Sequence, residues 1–86
     1  MGRTVRLQFY GRLRDAAGAP MRESIVPDVV RTAEDLIAWI ARDDAMLGEA
    51  LVMPSVKIAA GDAIIPRDAD IRQAAEIAFL PPFSGG

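Results

Sequence analysis

Glu76-Ile77-Ala78-Phe79-Leu80-Pro81-Pro82-Phe83-Ser84-Gly85-Gly86 is the stretch whose reading decides how this chain folds. Its first five residues set Ile77 and Phe79 on one face and Ala78 and Leu80 on the other. That is the two-residue period of a strand. Both faces are apolar, which suits the middle of a sheet better than an edge. Pro81-Pro82 then stops the strand. With φ fixed and no N–H to donate, the pair cannot extend a ladder and favours extended polyproline geometry. An aromatic residue, a serine and two glycines complete the chain.

Working outward, Val5 to Tyr10 alternates in the same way, with Val5, Leu7 and Phe9 opposed to Arg6, Gln8 and Tyr10. This predicts a first strand lying beside the last in the centre of the sheet. Gly11 to Pro20 reads as a loop with a short helical turn at Leu13 to Ala17, and Arg22 to Val26 as a strand returning beside the first and stopping at Pro27. Thr32-Ala33-Glu34-Asp35 places a capping hydroxyl and two acids at a helix start. From there Ala33, Leu36, Ile37, Ile40 and Ala41 form one apolar stripe. Trp39 lies on its edge and covers the core margin, with a partner contact as the alternative. A shorter helix over Ala45 to Leu51 is weakened by Gly48. Val56 to Ala60 and Ala63 to Ile65 read as strands joined by a Gly61-Asp62 turn. One main helix packed across a mixed sheet of four to five strands is an α+β domain. It spans residues 1–80, with 81–86 as an extended tail.

Composition narrows what this domain can do. Its 86 residues allow one core. There is no cysteine and no histidine, so thiolate nucleophiles, disulfides and the commonest general base and metal ligand are missing. The expectation is a chain that catalyses nothing by itself and binds no cofactor or metal. A net charge of −2 argues against nucleic acid. Arg3, Arg6, Arg12, Arg14 and Arg22 crowd the first quarter, opposed only by Asp15, and Lys57 is the single lysine. The cluster reads as a solvated face in preference to a docking patch. Neither a membrane-spanning run nor a signal-peptide core is present, so a cytoplasmic protein is expected.

The tail suggests delivery of its terminal carboxylate. A carboxylate is a poor electrophile and must be activated, for instance as an acyl-adenylate, in a site that excludes water. Two glycines have the smallest cross-section and accept any backbone geometry a tunnel imposes. Six extended residues reach up to ~20 Å. Phe83 would anchor at the pocket mouth, as aromatic residues do at interfaces. Gly86 is thus the candidate reactive residue, and Pro81, Pro82, Phe83, Ser84 and Gly85 the candidate partner-binding tail.

Val5-Arg6-Leu7-Gln8-Phe9-Tyr10-Gly11-Arg12-Leu13-Arg14-Asp15-Ala16-Ala17-Gly18, the capped helix from Thr32 to Ala41, and the ending Phe79 to Gly86 together resemble the small, sulfur-carrying subunit of molybdopterin synthase. That family (MoaD-type) lies in the ThiS/MoaD branch of the ubiquitin-like β-grasp superfamily. The resemblance covers essentially the whole chain. It implies that an adenylyltransferase of the ubiquitin-activating type (MoeB-type) adenylates Gly86 with ATP. A sulfur donor protein then converts the adenylate to a thiocarboxylate. The synthase large subunit (MoaE-type, in a heterotetramer) holds the catalytic residues, and there sulfur passes to cyclic pyranopterin monophosphate. Arg12, Arg14 and Trp39 are open as contacts.

Two positions depart from the family pattern. Ala74-Ala75-Glu76 stands where Gly-Asp-Glu is usual, and Ala59-Ala60-Gly61-Asp62 lacks an asparagine often found after the third strand. Both read as turn variations. A carrier for thiamin thiazole or cysteine synthesis, a ubiquitin-like modifier joined to lysines through Gly86, and a module that only binds remain as alternatives.

Overall fold

A computed structural model describes residues 1–82. The chain runs β1 (Gly2–Phe9), α1 (Arg12–Ala17), β2 (Met21–Pro27), α2 (Ala33–Asp43), α3 (Ala45–Leu51), β3 (Lys57–Ala60), β4 (Ala63–Ile65) and β5 (Glu76–Leu80). The strands form one mixed five-stranded sheet in the order β2-β1-β5-β3-β4. β1 and β5 are parallel neighbours, with Leu7 opposite Ile77 and Phe9 opposite Phe79. The other pairings are antiparallel. The last strand is therefore the central one, as its two apolar faces predict.

Alternation decides which side chains meet the helices. Val5, Leu7, Phe9, Ile58, Ile77 and Phe79 point to one face and are buried there with Leu36, Ile37 and Ile40 of α2 and Leu47 and Leu51 of α3. Phe9 and Phe79 stack with ring centroids 5.6 Å apart. The offset-stacked geometry adds ~1 kcal/mol to the burial of the two rings.

α2 begins where the sequence places it. Thr32 Oγ1 accepts from the Asp35 N–H at 3.1 Å, and the Asp35 carboxylate accepts from the backbone N–H groups of Arg31 and Thr32. The bonds from Arg31 and then Thr32 hold the Asp35 pKa below its ordinary value. Trp39 is half-buried against the core edge, which matches the core-margin reading. Gly48, read from sequence as a weak point of α3, instead permits the helix crossing. A Cβ there would overlap the Ala41 Cβ and lie 2.8 Å from the Ala41 Cα.

Two elements depart from expectation. β1 starts at Gly2, three residues earlier than the alternation signals, because β2 supplies partners as far as Pro27. The helical turn expected at Leu13 to Ala17 is present and begins one residue earlier, as the helix α1, which buries Leu13 and Ala17. Beside the one main helix there are thus two short ones. Between β4 and β5, Arg67 fastens the crossover: its guanidinium donates to the carbonyls of Leu51, Met53 and Val56 at 3.2, 2.7 and 3.1 Å. Asp70 accepts hydrogen bonds from the Arg72 side chain, and these bring the Asp70 pKa down to about 2.

Both departures from the family pattern are backbone-neutral. Ala74 closes a turn by donating its N–H to the Ile71 carbonyl at 3.1 Å, Ala75 follows it and accepts from the Arg6 N–H, and neither has positive φ. Gly61 has φ of 59°, so glycine meets the left-handed requirement that asparagine also tolerates.

Candidate functional site

The site is the end of the sheet from which β5 departs. β5 is held from both sides up to that point. On one flank the Tyr10 N–H donates to the Phe79 carbonyl at 3.2 Å, and on the other Leu80 pairs with Lys57. A strand clamped in this way launches the tail from a fixed base, since buried sheet backbone is among the last to open.

Pro81 is half-buried and Pro82 exposed. The Pro81 ring rests against Gly11, where an added Cβ would come within 2.8 Å of its Cγ. Gly11 also has φ of 56°, a conformation that side chains disfavour. Its lack of a side chain therefore serves the chain reversal into α1 and the seat of the first tail residue together. In sequence Gly11 stands out only as loop punctuation; nothing local connects it to a proline about 70 positions on. Phe83, Ser84, Gly85 and Gly86, the remaining tail residues singled out by sequence, lie outside the described residues.

Register assembles a surface beside the exit. On the sheet face opposite the helices, Met21, Gln8, Ala78, Ala59 and Ile64 occupy successive strands in one row. Lys57 and Leu80 lie next to that row, at the tail end. Met21 and Ile64 are exposed at the two ends of this row, Gln8 is its polar member, and small side chains at Ala59 and Ala78 leave it shallow.

The arginine cluster divides. The Arg3 guanidinium donates to the carbonyls of Pro27 and Val30, Arg6 pairs with Glu76, and Arg22 donates to the Ala17 carbonyl at 2.7 Å while lying over the Phe9 ring. Arg3 and Arg22 thus tie backbone carbonyls of neighbouring segments to the sheet, while Arg6 makes a surface pair. Arg12 and Arg14 are exposed and make no side-chain hydrogen bond or ion pair among the described residues. Arg14 borders a hollow of about 290 Å³ with Gln8, Tyr10, Gly11 and Met21, beside the tail exit. A cluster that looks uniform in sequence thus divides into three engaged cations and two without such a partner among the described residues. No helix among the described residues is long and apolar enough to cross a membrane.

The architecture recurs in solved structures. SAMP1 from Haloferax volcanii superposes with a TM-score of 0.76 at 16% identity, covering 98% of this chain and 100% of that one. The small archaeal modifier protein SAMP1 from Methanosarcina acetivorans gives 0.78 at 20% identity, covering 100% and 99%. A Pyrococcus furiosus protein designated molybdopterin converting factor, subunit 1 gives 0.75 at 21% identity, covering 93% and 98%. At these identities the likeness establishes the fold, the ubiquitin-like β-grasp. No curated protein sequence matches the chain. The ThiS family model matches residues 7–86, from the first strand through the terminal glycines. With a β-grasp whose central strand leads into Pro81 and a family match across nearly its whole length, the chain belongs to the ThiS family of small ubiquitin-like sulfur carriers.

Proposed function

We propose that this chain is the sulfur carrier subunit of a molybdopterin synthase, with residues 1–80 as scaffold and 81–86 as the delivered tail. The observation that carries the proposal is the tail's footing. A central strand clamped on both edges runs into a proline seated on Gly11, and the family match continues to Gly86. The Phe79-Leu80-Pro81-Pro82 lead supports molybdopterin synthesis over thiamin or cysteine synthesis, as does the converting-factor neighbour.

In this reading the Gly86 carboxylate attacks the α-phosphorus of ATP in an adenylyltransferase of the ubiquitin-activating type, and pyrophosphate leaves. The terminal sulfur of a donor persulfide then attacks the acyl carbon and AMP leaves, so a C–S bond replaces the C–O bond to phosphate. A second thiol cleaves the resulting acyl disulfide, forms its own disulfide with the donor and releases the thiocarboxylate. The resulting thiocarboxylate enters the large subunit, whose residues transfer sulfur to cyclic pyranopterin monophosphate. The chain itself binds no cofactor and contributes a nucleophilic sulfur on a thin, positioned arm. The exposed Arg14 and the shallow row from Met21 to Ile64 lie at the end of the sheet that Pro81 leaves and would serve as the bearing surface for both enzymes.

Intact-protein mass spectrometry of the chain from cells tests this directly: a population with one terminal oxygen replaced by sulfur is expected. Appending a residue after Gly86 moves the carboxylate out of position and should abolish molybdoenzyme activity. Survival of that activity would refute the carrier role. The two SAMP1 neighbours favour a second reading, a modifier that joins Gly86 to target lysines. A ladder of heavier species on immunoblots that disappears with the extended tail would establish it.

A further inference from the structure

A second concavity is on the opposite side from the tail-flanking sheet face. It is a trough of about 520 Å³ between α2 and α3. Ile37, Ala41, Ala45 and Val52 line its floor, and Val52 is exposed. Gly48 brings the two helices together beneath it, because no Cβ separates α3 from Ala41. The trough is open and nearly all apolar, so it suits a side chain presented by a protein better than an enclosed small molecule.

Its rim is acidic. Glu34 stands on α2 and Glu49 on α3, both exposed and both without an ion-pair partner among the described residues. The one cation lining the trough, Arg67, already donates to three carbonyls. From Ala33 to Leu51 the two helices carry Glu34, Asp35, Asp43, Asp44 and Glu49 against Arg42 alone, a formal charge of −4. Met1 to Arg22 carries Arg3, Arg6, Arg12, Arg14 and Arg22 against Asp15, a formal charge of +4. The α2–α3 pair is therefore acidic while the first quarter of the chain is basic, and a partner that docks on these two helices is selected by charge.

We infer that the α2–α3 trough is a docking site for a basic amphipathic helix of a partner protein, one that sets a large aliphatic side chain on the floor between lysines or arginines reaching Glu34 and Glu49. Because the trough and the sheet face lie on opposite sides, this partner can bind while the tail is engaged elsewhere. The inference is independent of what the tail delivers.

The probe is a synthetic helical peptide with a leucine stripe flanked by lysines, titrated into isotope-labelled full-length protein and observed by NMR. A second peptide carries glutamate in place of each lysine. Saturable shifts confined to α2 and α3 amides are expected, with the glutamate peptide at least about tenfold weaker. The double variant Glu34→Gln/Glu49→Gln, exposed and so expected to leave the spectrum folded, should weaken the lysine peptide about three- to tenfold, as two surface pairs allow. Val52→Asp should abolish binding. Shifts centred on Met21, Gln8 and Ala78 instead, equal affinity for both peptides, or occupation of the trough by a second copy of this chain on dilution would each overturn the proposal.

Discussion

Gly48→Ala puts two opposed effects against each other at one atom. Within an exposed helix, replacing glycine by alanine stabilises by about 1 kcal/mol, because glycine loses more backbone freedom on folding. Gly48 is buried where α3 crosses α2, and the new methyl would overlap the Ala41 Cβ and stand 2.8 Å from its Cα. A backbone atom cannot rotate aside, so the helices must separate and loosen Leu47 and Leu51, both fully buried. Overpacking of this kind costs about 1–3 kcal/mol. A backbone clash belongs at the upper end, and the net expectation is a loss of about 1–2 kcal/mol. In a domain of this size that lowers the melting temperature by roughly 5–15 °C. Urea denaturation of parent and variant measures it directly. The double variant Gly48→Ala/Ala41→Gly exchanges the methyl between helices and should return close to parental stability. If Gly48→Ala alone stabilises the protein, or if Ala41→Gly fails to rescue it, the close crossing is not what glycine serves.

Phe79→Ala removes a ring stacked on Phe9 in the central strand and should cost about 3–5 kcal/mol, read as a shift in the denaturation midpoint at unchanged slope. Arg67→Ala strips three carbonyls of their donor and should cost about 2–3 kcal/mol, with Arg67→Lys recovering only part because an ammonium lacks the planar fork. Gly11→Ala should destabilise more than Gly61→Ala: Gly11, at φ 56° and ψ −135°, lies where a side chain is strongly disfavoured, and a Cβ there also meets Pro81, whereas one at Gly61 meets open space. Paired melting curves of the two variants decide this. Asp70 has its pKa lowered to about 2 by the Arg72 side chain, so its contribution is full above the unfolded value of about 3.9 and disappears as pH falls towards 2. Asp35 acts with the same sign. Asp70→Asn should therefore flatten the acid limb of stability between about pH 4 and 2, with no difference in the Asp70 contribution remaining below that window.

Much of the fold is legible in the chain because short-range patterns and long-range packing agree. Ile77 and Phe79 alternate with Ala78 and Leu80, and the structure buries the first pair on the helix face of a central strand. Thr32 and Asp35 sit three apart, and both bonds of the capping box form. Reading Gly48 as a flaw fails for a definable reason. Propensity is a property of one helix, whereas the tolerance for a Cβ depends on which helix lies across it. The helical turn after Gly11 is legible at Leu13 to Ala17, but with an apolar stripe of only two residues its extent as a helix from Arg12 depends on the core that Leu13 and Ala17 cover.

Local chemistry along the chain is enough to specify the succession of strands, the cap of the main helix, the lack of cysteine and histidine, and the proline stop before the glycines. Those features depend on residues close together, where sterics and hydrogen-bonding capacity act without reference to the rest of the molecule. Folding in three dimensions was needed to seat Pro81 on Gly11, to engage Arg3, Arg6 and Arg22 while leaving Arg12 and Arg14 exposed, and to collect acids around a trough between two helices. Each of those is a matter of distance between residues remote in sequence, and the burial of a shared core is what sets such distances.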